Sequence, residues 1–171
     1  MDFNIKVPQD WKPVAKERYG LLGLKDEGDI KCLGAYVVGE EQSANLISFL
    51  NYEGYGLDFL HQLDAQLLHI NEMNDLIDGD PNAEGYEDTS MLKNIFHGFT
   101  DKYGGNMYIN INKVPVTETE YGYSFQMFVE VANGLMCAQA TVRELDEANA
   151  FKTAVEVDYV KEMVKILFKQ R

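Results

Sequence analysis

The sequence predicts an α+β fold in which an antiparallel β-sheet is flanked by helices within one domain, residues 1–171. The stretch YSFQMFVEVANGLMCAQATVREL alternates apolar and polar residues around an Asn-Gly turn signal, as a β-hairpin does. Two other segments, near residues 57–73 and 156–169, place apolar residues at spacings of three and four, as helices do. At 171 residues, 46% of them hydrophobic, the chain is long enough to bury its own core.

The N-terminal third is predicted to be mainly β-structure. The opening FNIKVP alternates apolar residues at 3, 5 and 7, which favours a short strand stopped by Pro8. Trp11 is expected to be a core anchor or a lid. The stretch RYGLLGLKDEGDIKCLGAYVVG predicts two strands joined by the polar turn 26–29, and EEQSANLISFLNYEG fits either a strand or a short helix.

A helix is predicted from Leu57 to about Met73, because five apolar residues form one stripe along it: Leu57, Leu60, Leu63, Leu67 and Ile70. His61 and His69 lie off this stripe and are about 12 Å apart along the helix axis. They are therefore too far apart to share a metal ion, and we expect each to be solvated or to lie at the rim of a packed surface. His97 has no evident partner in the sequence.

An acidic surface loop is predicted at about residues 75–90, where the chain reads DLIDGDPNAEGYED. Asp78, Asp80 and Asn82 match the first, third and fifth places of an EF-hand, but Ala83 and Thr89 stand where that loop needs glycine and a bidentate glutamate. We therefore predict no metal site, and an exposed connection whose charge helps to select a partner. The residues expected to contact the partner are Asp75, Asp78, Asp80, Glu84, Glu87 and Asp88.

The C-terminal half is predicted to contain strands followed by a covering helix. MYININ reads as a half-buried strand. A type I′ turn at Asn133-Gly134 would pair Ala132 with Leu135 and would place Cys137 on the polar sheet face, away from the core. The last helix, from about residue 156 to 169, has a wide apolar arc and is expected to lie across the other face.

Charge and motifs narrow the functional classes. The formal net charge of −13 argues against binding to nucleic acid, because phosphate backbones would be repelled. The N-terminus shows no signal peptide and no segment is apolar enough for a membrane span, so Cys32 and Cys137 are expected to be free thiols in a reducing cytoplasm. No catalytic or phosphate-binding motif occurs, and we predict no enzyme activity and no cofactor.

Three stretches carry a resemblance to a known family: IKVPQDW with its P-x-x-W step, the Asn-Gly hairpin, and VDYVKEMVKILF. In their order the chain resembles the PsbP-like superfamily and the related bacterial DcrB and Eag-type chaperone proteins. The resemblance implies an α/β/α sandwich that binds protein partners and has no catalytic activity. None of the three stretches is a functional motif, so the resemblance assigns no site residues.

Three functional hypotheses follow, and the third is a calcium-responsive module built on the acidic loop. The first is a non-enzymatic cytoplasmic accessory, such as a secretion chaperone or a toxin-neutralising immunity protein, that binds a basic or hydrophobic protein; a homodimer is left open. The second is a small-ligand-binding protein or enzyme with a site between sheet and helix, lined by Trp11, Tyr36 and Tyr108.

Overall fold

One antiparallel sheet with helices on both of its faces organises the chain. The computed structural model describes residues 3, 5–24, 26–39, 45–78, 93–103, 105–115 and 118–171. Its strands are β1 (Lys12–Pro13), β2 (Ile30–Val38), β3 (Asn45–Glu53), β4 (Lys93–Thr100), β5 (Met107–Pro115), β6 (Tyr121–Val131) and β7 (Gly134–Val142). Its helices are α1 (Leu57–Asp78), α2 (Ala150–Ala154) and α3 (Asp158–Lys169), with short 3₁₀ helices at Lys16–Arg18, Gly20–Leu22 and Glu147–Asn149.

The strand order is β1-β2-β3-β7-β6-β5-β4, and every neighbouring pair is antiparallel. After β3 the chain forms α1, and it enters β4 at the far edge of the sheet. Strands β4 to β7 then return as a meander until β7 pairs with β3. The predicted antiparallel sheet flanked by helices is therefore confirmed. Among the described helices, none is long and apolar enough to cross a membrane.

The face covered by α3 holds the larger core. Alternate residues of the central strands are fully buried there, including Ile109 and Phe125. Helix α3 contributes five buried side chains: Val160, Met163, Val164, Ile166 and Leu167. The predicted covering helix is confirmed, although it starts at Asp158, because the preceding Val157 has extended backbone angles (φ −66°, ψ 131°).

The opposite face is buried under α1. Leu60 of that helix packs with Tyr108, Phe128 and Leu135 of the sheet. Cys137 faces away from α3 as predicted, yet it is fully buried under this second layer. For the same reason β5 is not half-buried: its residues 107–111 are buried on both faces.

The β6–β7 hairpin differs from its prediction in register. Val131 pairs with Gly134 and Val129 with Met136, a shift of two residues that keeps the same side chains on the α3 face. No described non-glycine residue has a positive φ, so Asn133 does not form a type I′ turn. A Cβ on Gly134 would lie 2.2 Å from the Tyr52 carbonyl oxygen, so contact with the end of β3 requires glycine at this position.

The N-terminal segment also departs from its prediction. Phe3, Ile5 and Val7 pack against the core without forming a strand, and the first strand is β1, after Trp11. The stretch 16–22 forms two 3₁₀ turns instead of a strand, and Gly23 ends the second of them with a left-handed backbone (φ 71°). The ambiguous segment near residue 45 is strand β3.

Candidate functional site

The outward side of the C-terminal half of α1 is the candidate site. Three large apolar side chains are exposed on it: Leu68 (50% exposed), Ile70 (47%) and Met73 (44%). Glu72 and Asp75 are exposed beside them. Single exposed apolar residues are ordinary, but several on one short helical segment indicate an interaction surface. We call these five residues the α1 surface.

Helix geometry explains why these side chains stay outside the core. Leu67 lies on the partly buried inward stripe, and successive residues are rotated by about 100° around the helix axis. Leu68 therefore lies on one flank of that stripe, and Met73 lies on the other. Ile70, predicted to belong to the stripe itself, lies on the same flank as Met73 and is 47% exposed, so that part of the prediction is wrong. The sheet covers only the stripe, so this half of α1 has more apolar side chains than the fold can bury.

The acidic residues divide between the two flanks unequally. Glu72 and Asp75 follow Leu68 by four and seven positions, so they share its flank. The α1 surface thus has an apolar flank, with Ile70 and Met73, and a mixed flank on which Glu72 and Asp75 lie beside Leu68. This arrangement complements a helix that carries apolar and basic side chains on adjacent faces.

The first residues of the predicted acidic loop are helical. Helix α1 continues past Met73 to Asp78, so Asp75 and Asp78 are helical residues. The reason is that residues 74–78 contain no helix breaker. Four of the predicted partner-binding residues lie outside the described residues: Asp80, Glu84, Glu87 and Asp88. The partial EF-hand pattern from Asp80 onward lies outside them as well.

A cluster of three side chains fixes α1 to the sheet. His97 Nδ1 of β4 lies 2.5 Å from Asp64 Oδ1, and the Tyr108 hydroxyl of β5 donates to the same oxygen at 3.1 Å. Burial and the neighbouring Asp64 carboxylate raise the pKa of Tyr108, so the phenol stays protonated as a donor. His97 therefore has a partner that the sequence did not reveal, because the two residues are brought together only by the docking of α1 on β4.

A chain of side-chain amides extends from α1 across the sheet beneath it. Each NH₂ donates to the next carbonyl oxygen, with distances of 3.1, 3.0, 3.0, 3.4 and 3.2 Å. Its members, in order, are Asn71, Asn94, Asn112, Asn110, Gln126 and Gln139. Because every link runs in the same direction, the bonds polarise one another. The chain ties the C-terminal half of α1 to four strands and so holds the α1 surface in a fixed orientation.

The Asp64–His97–Tyr108 cluster has the carboxylate–imidazole pair of a catalytic site but lacks its nucleophile. Among the described residues, no serine, threonine or cysteine side chain is hydrogen-bonded to His97. Its two hydrogen bonds both join α1 to the sheet. We therefore interpret the cluster as an anchor for the helix.

The three residues predicted to line a ligand pocket are not brought together. Trp11 and Tyr36 lie on the α3 side, with ring centroids 6.2 Å apart, and Tyr36 packs edge-on against Phe49. Tyr108 lies on the α1 side, in contact with Phe99 and Phe128. The sheet separates the two groups, and Trp11 and Tyr108 are both buried core residues.

Neither the two thiols nor the described acidic side chains form a second candidate site. Cys32 and Cys137 are both free, and burial raises the pKa of each thiol. Within the part of the chain that the structure describes, no three His, Cys, Asp or Glu side chains are arranged to hold a metal ion.

Comparison with known proteins adds no assignment. No protein-family model matches the sequence, and no curated protein matches it either. A relationship to the PsbP-like superfamily therefore stays a prediction. What the protein does has to be inferred from its surfaces.

Proposed function

We propose that this protein is a non-enzymatic cytoplasmic accessory, such as a secretion chaperone or a toxin-neutralising immunity protein, that binds its protein partner through the α1 surface. The observation that supports this most directly is the exposure of Leu68, Ile70 and Met73 on a helix that is otherwise firmly docked. A rigid, partly apolar helix face loses little conformational entropy on binding.

The partner segment that fits best is a basic amphipathic helix. Its apolar side chains would cover Ile70 and Met73, and its Lys or Arg side chains would lie beside Glu72 and Asp75. The net charge of −13 would steer such a segment toward the protein and would repel acidic competitors.

A homodimer through the same surface fits less well. In a two-fold interface each mixed flank would meet its own copy or the apolar flank, so Glu72 and Asp75 would gain no opposite charge. The second hypothesis, a ligand or enzyme site between sheet and helix, is not favoured because buried side chains fill both interfaces.

The binding test uses two synthetic helical peptides, one with apolar and lysine residues and one in which glutamate replaces each lysine. We expect the wild type to bind the basic peptide and not the acidic one, with affinity falling as salt rises. The double variant Ile70→Ser with Met73→Ser should bind at least about tenfold more weakly, since it removes the apolar contacts. Glu72→Gln with Asp75→Asn should weaken binding mainly at low salt.

Leu21→Ser is the matched control. Leu21 is 88% exposed on a 3₁₀ turn, so this change removes an even more accessible apolar side chain elsewhere. Equal loss of binding in the control, or equal binding of both peptides, would contradict the proposal. The wild type and Leu21→Ser would then be used to capture proteins from a cell lysate. Proteins that both of them retain but the Ile70/Met73 variant does not would be identified by mass spectrometry, and their binding would be repeated with purified protein.

A further inference from the structure

A second surface lies on the opposite face of the molecule, between α3, the end of α2 and the turn after β4. It is a groove of about 450 Å³, within the range of small-molecule sites. Its rim carries four lysines: Lys102, Lys152, Lys161 and Lys165. We call it the lysine groove.

The charge of the lysine groove is opposite to that of the whole chain. Four of the 15 basic residues line it, whereas the formal net charge is −13. One carboxylate, Glu156, lies at the same rim. At physiological ionic strength the Debye length is about 8 Å, so distant acidic residues are screened and the nearby lysines set the local potential.

Most of these ammonium groups are available to a ligand. Among the described residues, Lys102, Lys152 and Lys161 are exposed and make no ion pair, and only Lys165 has a carboxylate within reach, Glu162 at 3.3 Å. Lys161 and Lys165 are also four positions apart on α3, an arrangement in which like charges destabilise a helix. A bound anion would relieve that repulsion.

The floor of the lysine groove is apolar. It is formed by Tyr103, Val155 and Val164, and the first and last of these pack against the core under α3. The aliphatic stems of the lysines extend this apolar lining up to their charged ends. The lysine groove therefore has an apolar floor beneath a cationic rim.

We propose that the lysine groove binds a free long-chain carboxylate, with its acyl chain on the floor and its carboxylate among the lysines. A small inorganic anion would leave the apolar floor wet. A nucleotide would find only one aromatic ring, Tyr103, on which to stack its base. A single acyl chain with one anionic end matches both the polarity and the size of the groove.

The test is a fluorescence titration with dansyl-labelled undecanoate, compared with the dansyl-labelled undecanol of the same length. We expect saturable binding of the carboxylate and binding at least about tenfold weaker for the alcohol. Lys102→Gln with Lys161→Gln should weaken carboxylate binding by about the same factor, because each change removes an ammonium group from the rim.

Lys16→Gln with Lys31→Gln is the matched control, since it changes the net charge equally at two exposed lysines elsewhere. It should bind the probe as the wild type does, and so should Ile70→Ser with Met73→Ser on the opposite face. Circular dichroism melting checks that each variant is folded.

Three outcomes of the titration would overturn the proposal. The alcohol could bind as well as the carboxylate, the control pair could weaken binding as much as the groove pair, or inorganic phosphate at equal concentration could displace the probe. The proposal would also be wrong if the protein sedimented with phospholipid vesicles but did not bind the free carboxylate. That result would indicate a membrane-docking surface instead. None of these results depends on whether α1 binds a protein.

Discussion

Single residues explain where the chain departs from its local signals. Asn133-Gly134 is a strong signal for a type I′ turn, yet the glycine is needed because its Cα lies against the carbonyl of Tyr52. The Gly54 amide also donates to the Asn133 carbonyl at 2.8 Å. The end of β3 therefore determines the register of the hairpin. The sequence of β6 and β7 alone could not predict this contact, because β3 is distant in the chain.

Replacing Gly134 by alanine should lower the free energy of unfolding by about 2 kcal/mol or more, because the new Cβ would meet the Tyr52 carbonyl oxygen at 2.2 Å. Gly20→Ala is the matched control, since nothing lies within 4 Å of its Cβ. That change should leave stability the same or raise it by up to about 1 kcal/mol. Urea denaturation measures both, and equal effects would show that the close approach is not what requires glycine.

Glu147 provides a pH-dependent contact at the start of the C-terminal helices. Its Oε2 accepts hydrogen bonds from the Tyr123 hydroxyl at 2.7 Å and from Lys113 Nζ at 3.1 Å, and these bonds hold the pKa of the carboxyl below its ordinary value. A carboxyl with a lowered folded-state pKa stabilises the fold above its unfolded pKa, about 4.3, and loses that contribution as pH falls through the folded value.

Glu147→Gln should therefore be less stable than the wild type at neutral pH, and the difference should shrink below about pH 4. The side chain is 43% exposed, so solvent screening keeps the effect under about 1 kcal/mol. Urea titrations at neutral and acidic pH measure it. Glu144→Gln, at an exposed neighbour, is the control, and the same pH dependence in both variants would contradict the assignment.

At the scale of elements, the docking of α1 determines much that periodicity does not show. Its apolar stripe predicts an inward face, and Leu60 confirms it, but the polar anchors Asp64 and Asn71 lie on that face too. Asn94 is the centre of this attachment. Its two N–H bonds are shared among three acceptors, namely Asn112 Oδ1 and the carbonyls of Phe96 and Ile111 across the β4 bulge. Its oxygen accepts from Asn71.

Asn94→Ala should lower the free energy of unfolding by about 1–3 kcal/mol, because it leaves several partly buried polar groups without partners. Hydrogen exchange should speed up in β4 and in the C-terminal half of α1 more than in α3. Gln66→Ala, at an exposed position of α1, is the control and should change neither. Uniform loss of protection throughout the sheet would mean that Asn94 does not act on this element in particular.

At the scale of the whole molecule, the sheet separates two surfaces of opposite charge. The acidic and apolar α1 surface lies on one face, and the lysine groove lies on the other. Because α1 and α3 lie on opposite faces of the sheet, we expect the two surfaces to be occupied independently. The overall charge of −13 describes neither surface by itself.

The central position of β7 makes Cys137 a reporter of global unfolding. In a Cys32→Ser variant we expect the remaining thiol to react with Ellman's reagent only as fast as the protein unfolds, since its side chain is fully buried. In a Cys137→Ser variant the half-buried Cys32 should react in the native state. Rapid labelling of Cys137 without urea would show that α1 undocks far more easily than its contacts indicate.

The sequence by itself determined the fold class, the helix α1 and most of its inward stripe, the helix α3 and its broad buried face, and which residues of β6 and β7 face α3. These follow from period and polarity, which are local properties of the chain. Only the tertiary structure decided the hairpin register, the pairing of His97 with Asp64, the burial of Cys137 and the assembly of four lysines around one groove. Each of these depends on residues far apart in the chain, and their distances are set by how α1 and α3 dock on opposite faces of the sheet.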